Sequence, residues 1–201
     1  MNPRNLIFFL ATILSYPLGA QSWNFISEKD GIRLYTREEN GRPLKAFRSV
    51  ADIDAPAEKI FDLLNDLNRT DWWDDNLILD KVLNFEKNKS ARYYMIYKLP
   101  WPVKDRDLSV DVTASSDPES GERRITAVAV NGIIPESKEM IRIKDYRETW
   151  ILKPAGEGRT NVVLEGFIDP AGNIPDWLAN ALITESPVKT MSKLRQSLND
   201  H

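Results

Sequence analysis

A chain of 201 residues and 23.0 kDa with 42% hydrophobic residues is long enough to bury one sizeable core. Its 27 basic and 30 acidic residues leave a net charge of −3, without the basic footprint that a nucleic-acid partner requires. Cysteine is absent and the one histidine is His201, which excludes thiolate nucleophiles, Cys/His zinc sites and His-centred triads. Binding is therefore favoured over catalysis, and no cofactor or metal is expected.

Residues 1–20 follow the pattern of a signal peptide: Arg4, an apolar run from Leu6 to Leu14, then Pro17 and the small residues Gly19-Ala20. The run is far short of the ~20 residues that a helical membrane span needs. The chain is thus expected to be exported, to the periplasm or the exterior, with cleavage after Ala20. Residues 21–201 then form one domain without linker or repeat.

Ile32–Arg37 and Lys45–Ile53 read as strands of a hairpin, separated by a segment whose Asn40-Gly41 invites a tight reversal. Asp54-Ala55-Pro56-Ala57-Glu58 opens a helix, since proline fits the first turn and the acids suit the positive end of its dipole. Ile60, Leu63, Leu64 and Leu67 form its apolar stripe. Trp72 and Trp73, among Asp71, Asp74 and Asp75, follow in a turn or short helix, and the acids lack the spacing of a calcium loop.

Strands then dominate. Leu108, Val110, Val112 and Ala114 alternate with Asp107, Ser109, Asp111 and Thr113, predicting one dry face and one wet face. Ala91, Tyr93, Met95 and Tyr97 alternate similarly, and Arg124–Val130, Met140–Lys153 and Thr160–Ile168 supply further strands, making an antiparallel sheet. From Ile174 a terminal amphipathic element carries Trp177, Leu178, Ala181 and Leu182, then Val188, Met191, Leu194 and Leu198. Pro187 is expected to kink it or restart it as a second helix capped by Ser186.

This order of hairpin, helix, antiparallel strands and terminal helix resembles the α+β helix-grip fold, a curved sheet wrapped around a long C-terminal helix. Trp73-Asp74, the segment from Leu99-Pro100-Trp101-Pro102 to Arg106-Asp107, Glu148-Thr149-Trp150, and Asp169-Pro170-Ala171-Gly172 with Ile174-Pro175-Asp176-Trp177-Leu178 narrow the resemblance to the StAR-related lipid transfer (START) domain. It spans about residues 23–199.

The resemblance implies a cavity for a lipid or other hydrophobic molecule, closed by the 99–105 loop and the terminal helix. At ~0.8 kcal/mol per buried CH₂, a long acyl chain gains on the order of 10 kcal/mol there before association costs. Tyr93, Met95 and Tyr97 are then wall rather than plain core, as are Leu108, Val110, Trp150, Trp177, Leu178, Leu182 and Met191. Trp101, stiffened by two prolines, is either a gate and membrane-interface anchor or a plug under the helix. Arg106 either holds a ligand's polar head or pairs with a carboxylate such as Glu148 or Glu165, and the pairing is favoured. Tyr93 and Val112 occupy the places where sterol-binding relatives carry a charged pair, which argues against sterol specificity. The expected function is binding, with transfer following from transient membrane contact, by a monomer. The alternatives are an enzyme of the wider helix-grip superfamily, such as a cyclase or hydrolase, and a protein-binding module using the wet face of the sheet.

Overall fold

The computed structural model describes residues 22–199 apart from 40, 43 and 71. The signal peptide read in residues 1–20 lies outside the described residues. Among them, ten strands form one sheet: β1 (Asn24–Lys29), β2 (Ile32–Glu38), β3 (Lys45–Ile53), β4 (Leu77–Glu86), β5 (Ser90–Tyr97), β6 (Arg106–Ser116), β7 (Arg123–Val130), β8 (Ile141–Arg142), β9 (Asp145–Pro154) and β10 (Thr160–Asp169). The helices are α1 (Ala57–Leu64), α2 (Asp176–Thr184) and α3 (Ser186–Asn199). This is the expected α+β architecture, a large open antiparallel sheet with its terminal helix packed on one face.

Strand order is β1-β2-β3-β10-β9-β7-β6-β5-β4, antiparallel throughout, with β8 alone pairing parallel to the start of β6. The hairpin of β2 and β3 forms as read, Arg33 opposite Val50 and Glu38 opposite Lys45. β1 lies outside the strands read from sequence, because Phe25 and Ile26 are adjacent rather than alternating and both remain exposed on an edge strand. It is joined to β2 by Asp30-Gly31, both at positive φ, the backbone that a two-residue hairpin loop demands.

Helix α1 starts after Pro56 and buries Ile60, Phe61, Leu63 and Leu64. It stops before Leu67, because Asn65 turns its amide back onto the Phe61 carbonyl at 2.8 Å. The terminal element is two helices in line, broken at Glu185. Pro187, lacking an N–H, sits in the first turn of α3, where that loss is harmless. Ser186 does not act as the cap: its hydroxyl donates to Asp74 Oδ2 at 3.0 Å. Met191, Leu194 and Leu198 of α3 enter the core with Ile32, Phe47, Ala51, Leu108, Val110, Leu152 and Leu164 from the sheet.

The region read as one strand, Met140–Lys153, is divided. β8 docks on β6, and β9 begins after a break at Ile143 and Lys144. That division corrects the reading of the outer face of β6. Asp107 and Ser109 are buried rather than wet, because β8 and the segment before it cross over them. Arg142 donates to both oxygens of Asp107, at 2.9 and 2.8 Å, and Tyr94 Oη donates to Oδ2 at 2.7 Å. Burial on its own pushes the Asp107 carboxyl up, but these hydrogen bonds and the guanidinium charge outweigh it and hold the group below its usual range.

Candidate functional site: an apolar cavity with one buried acid

Register decides which side chains meet on the inner face. Directly opposed residues in antiparallel strands point the same way. Tyr146 lies opposite Ile168, Glu148 opposite Gly166 and Trp150 opposite Leu164. On the other side of β9, Glu148 lies opposite Ala127 and Trp150 opposite Ile125. Ala91 lies opposite Val112, and Tyr97 opposite Leu77.

All of these except Gly166 line a cavity between the sheet and the start of the C-terminal helices. Leu64 and Leu67 below α1, Trp72 and Trp73 after it, and Leu182, Pro187 and Thr190 of α2 and α3 complete the wall. The space open to the centre of a water-sized molecule is about 100 Å³, room for several waters at roughly 10–15 Å³ each. It meets a neighbouring groove at Asn65, Leu67 and Phe85, which line both.

Gly166 is where the wall needs a missing side chain. A Cβ there would stand 2.7 Å from the Arg147 carbonyl oxygen and 2.8 Å from Phe47 Cζ, so the glycine admits the Phe47 ring to the cavity wall.

The aromatic residues form a connected series. Tyr93 stacks at a tilt on Trp73 at 5.9 Å, Trp73 meets Trp72 edge to face at 5.9 Å, and Trp72 meets Trp150 likewise at 5.7 Å. The Trp72 and Trp73 indole N–H groups have no protein acceptor and are closed off from the free space. Both tryptophans are buried. Of the acids around them, Asp75 serves the surface: it bridges Lys189 and Lys193, and Lys193 Nζ also donates to the Trp73 carbonyl at 3.0 Å. Hydrogen bonds from the two lysines hold the Asp75 carboxyl down at about 2, so this latch onto α3 persists at neutral pH.

At the end of the aromatic series stands Glu148. Its Oε1 accepts from Trp150 Nε1 at 3.0 Å, and Tyr146, two residues earlier on the same strand, lines the same cavity. Glu148 is half-buried. Burial pushes its pKa up, against the lowering effect of the Trp150 hydrogen bond and of the Tyr146 phenol. The phenols of Tyr93, Tyr97 and Tyr146 are pushed up as well, by burial first and by the Glu148 charge second.

The residues read from sequence divide clearly. Tyr93, Met95, Tyr97, Trp150 and Leu182 are brought together around the cavity. Leu108 and Val110 share the inner face but are packed in the core away from it, as are Leu178 and Met191, which are buried without lining it. Trp177 is 58% exposed and Trp101 is 92% exposed, so Trp101 plugs nothing and none of residues 99–105 lines the cavity.

Arg106 departs from both readings. Its guanidinium is buried, reaches neither the cavity lining nor a carboxylate, and donates to three carbonyls: Lys104 at 2.5 Å, Pro170 at 3.1 Å and Ala171 at 3.1 Å. The expected partners are engaged elsewhere, Glu165 with Arg48 at 2.7 Å and Glu148 with Trp150. Positive φ at Ala171 and Gly172 turns the loop so that its carbonyls face the arginine. Arg106 thereby ties the 99–105 loop to the segment leading into α2. Glu148 itself was legible as a charged residue in the apolar phase of Tyr146, Glu148, Trp150 and Leu152.

A model of the START domain matches residues 14–201. The chain belongs to the START domain family. Its relatives include an uncharacterized protein of Pseudomonas aeruginosa, 32% identical over 178 residues, which span 89% of this chain and 87% of that one. The mouse phosphatidylcholine transfer protein is 24% identical across 81% of this chain and 77% of its own. Among solved structures, a STAR-related lipid transfer protein fragment from Xanthomonas axonopodis superposes with a TM-score of 0.78 at 28% identity, covering 88% of this START domain and 98% of that chain. Human STARD10 superposes with a TM-score of 0.77 at 21% identity, over 89% of this chain and 74% of its own, a likeness of fold. Two of these relatives are named for the transfer of a lipid: the mouse protein for phosphatidylcholine, and the Xanthomonas fragment for STAR-related lipid transfer.

Proposed function

We propose that this START domain holds a lipid or similar hydrophobic molecule in the cavity described above, carries it as a monomer after export from the cytoplasm, and performs no chemistry on it. The observation that carries this reading is the lining. Leucine, aromatic and small apolar side chains from β3–β7, β9 and β10 converge with Leu182 and Pro187 on free space at the centre of the fold. An apolar guest gains there the transfer free energy that water withholds, about 0.8 kcal/mol per CH₂.

The free space is small, so loading requires the cover to move. In this reading α2 and the first turn of α3 loosen from the 72–76 segment, the guest enters, and closure restores the packing. Trp101 and Trp177 are the membrane contacts. Both are exposed indoles on segments that Arg106 holds together, and an indole suits the headgroup region.

The test is native mass spectrometry of the protein purified from its own host compartment, and again after delipidation and mixing with total lipid extract. A defined lipid should co-purify in a 1:1 complex. A protein that stays empty through both would overturn the reading.

One observation favours a second reading, an enzyme of the wider helix-grip superfamily. Glu148 and Tyr146 are two polar groups on one cavity wall, as acid–base chemistry needs. Product formation from the co-purified molecule that disappears in Glu148→Gln would establish it.

A further inference from the structure

Glu148 is a carboxyl group in an apolar cavity with no cation assigned to it. Among the described residues, none that lines it is Lys, Arg or His. The basic groups near the wall are committed elsewhere. Arg106 is spent on carbonyls, Arg147 pairs with Glu39 and lies over Phe167, and Lys189 and Lys193 share Asp75.

Besides neutral Asn65, Ser90, Ser186 and Thr190, the polar and aromatic lining has one electrostatic sign: the carboxyls of Glu148 and Asp74, and the rings of Trp73, Tyr93, Tyr97, Tyr146 and Trp150. A phosphate or carboxylate placed here would lose its hydration, meet no counter-ion and stand beside an acid. An ammonium group would meet a carboxylate and aromatic faces, the two partners that compensate a buried cation.

We propose that the cavity selects apolar molecules bearing one basic nitrogen and no anionic group, with the nitrogen held at Glu148 among Tyr93, Tyr97 and Tyr146. This inference rests on the reading of the cavity as a lipid-type binding site and narrows its ligand to long-chain amines and their like. Trp150 acts as a positioning residue: its indole N–H donates to the carboxyl at 3.0 Å, which fixes where the nitrogen sits.

The experiment titrates the whole protein with dodecylamine, 1-dodecanol and dodecanoate at sub-micellar concentration and near-neutral pH. Binding is read from the emission of the tryptophans in the wall, and the titrations are repeated with Glu148→Gln. The amine should bind wild type about tenfold to a hundredfold more tightly than dodecanoate, the range of one charge-assisted hydrogen bond. In Glu148→Gln that preference should shrink to about threefold or less, while dodecanol still binds, which shows that the variant keeps its cavity. Dodecanoate binding wild type as tightly as the amine, or an amine preference that survives in the variant, would overturn the inference and leave the cavity reading standing. Failure of all three chains to bind wild type would take down both.

Discussion

Asp107 and Glu148 are both removed from bulk water, and they are treated in opposite ways. Asp107, on the outer side of β6, receives two hydrogen bonds from Arg142 and one from Tyr94, and its pKa falls. Glu148, on the inner side of β9, receives one from Trp150 but no cation, and its pKa rises. A closed ion pair is a structural element complete in itself. An acid left beside free space is a polar group whose strongest partner is not part of the protein. On the proposed reading, the difference separates the half of the molecule that holds the fold from the half that holds a guest.

The sharpest way to break this comparison is Asp107→Asn. It leaves the Arg142 charge buried and uncompensated, and loss of one member of a buried pair costs about 3–5 kcal/mol. Urea denaturation should show that loss, while the affinity of the surviving folded fraction for an apolar guest stays the same. A cost below about 1 kcal/mol would mean that water reaches the pair and that the two sites are not different in kind.

Gly166→Ala tests the cavity side by shape. The added methyl would meet the immovable Arg147 carbonyl at 2.7 Å and the Phe47 ring at 2.8 Å. Overpacking of this kind costs about 1–3 kcal/mol. Because Phe47 is wall, the displaced ring should also weaken guest binding. Lost stability with unchanged binding would remove Phe47 from the site.

Glu148→Gln should move stability the other way. The folded-state pKa is raised above 4.5, so from pH 4.5 upward the folded protein binds more protons at this group than the unfolded chain does. Stability therefore falls as pH rises through that window, and the variant escapes the fall. Without guest, Glu148→Gln should match wild type below pH 4.5 and exceed it by on the order of 1 kcal/mol at neutral pH, a rise of a few degrees in Tm. Asp107 contributes the opposite slope: its pKa is depressed below 3.8, and its contribution is lost only as pH falls through the folded value. A wild type and variant with parallel pH profiles would show that Glu148 is ionised without difficulty and paired in some other way.

The sheet was readable because its signals are local. Leu108, Val110, Val112 and Ala114 occupy alternate positions, and a pleated strand turns alternation directly into faces. The C-terminal break just before Pro187 was readable for the same reason, since a residue without an N–H suits only the first turn of a new helix. What escaped depends on segments far apart in sequence. Arg106 was assigned a carboxylate because burial of a guanidinium suggests one, yet its three acceptors are backbone carbonyls, two of them 64 and 65 residues away, that carry no side-chain signature. Asp107 was read as wet because alternation records the sheet's own two faces and not the chain that later covers one of them. Leu108 and Val110 show the matching limit on the dry face: periodicity says that they are inside, and only packing decides which inside residues border free space. Glu148 carried a signal, an acid in phase with Tyr146 and Trp150, and it was absorbed as an ion-pair partner for Arg106.

Trp101 gives the smallest effect on the fold and sharpens the comparison from outside. At 92% exposure its side chain contributes almost nothing to packing, so Trp101→Ala should change stability by no more than about 0.5 kcal/mol. If its role is to meet a bilayer, the same substitution should lower co-sedimentation with vesicles of host lipid and slow the transfer of a loaded guest between vesicle populations. Guest affinity measured without vesicles should not change, because no residue of the 99–105 loop lines the cavity. Transfer at the wild-type rate would sever the loop from membrane contact. Altered affinity in solution would mean that the loop reaches the cavity when the cover opens, joining the two exposed indoles to the site that the closed fold keeps apart from them.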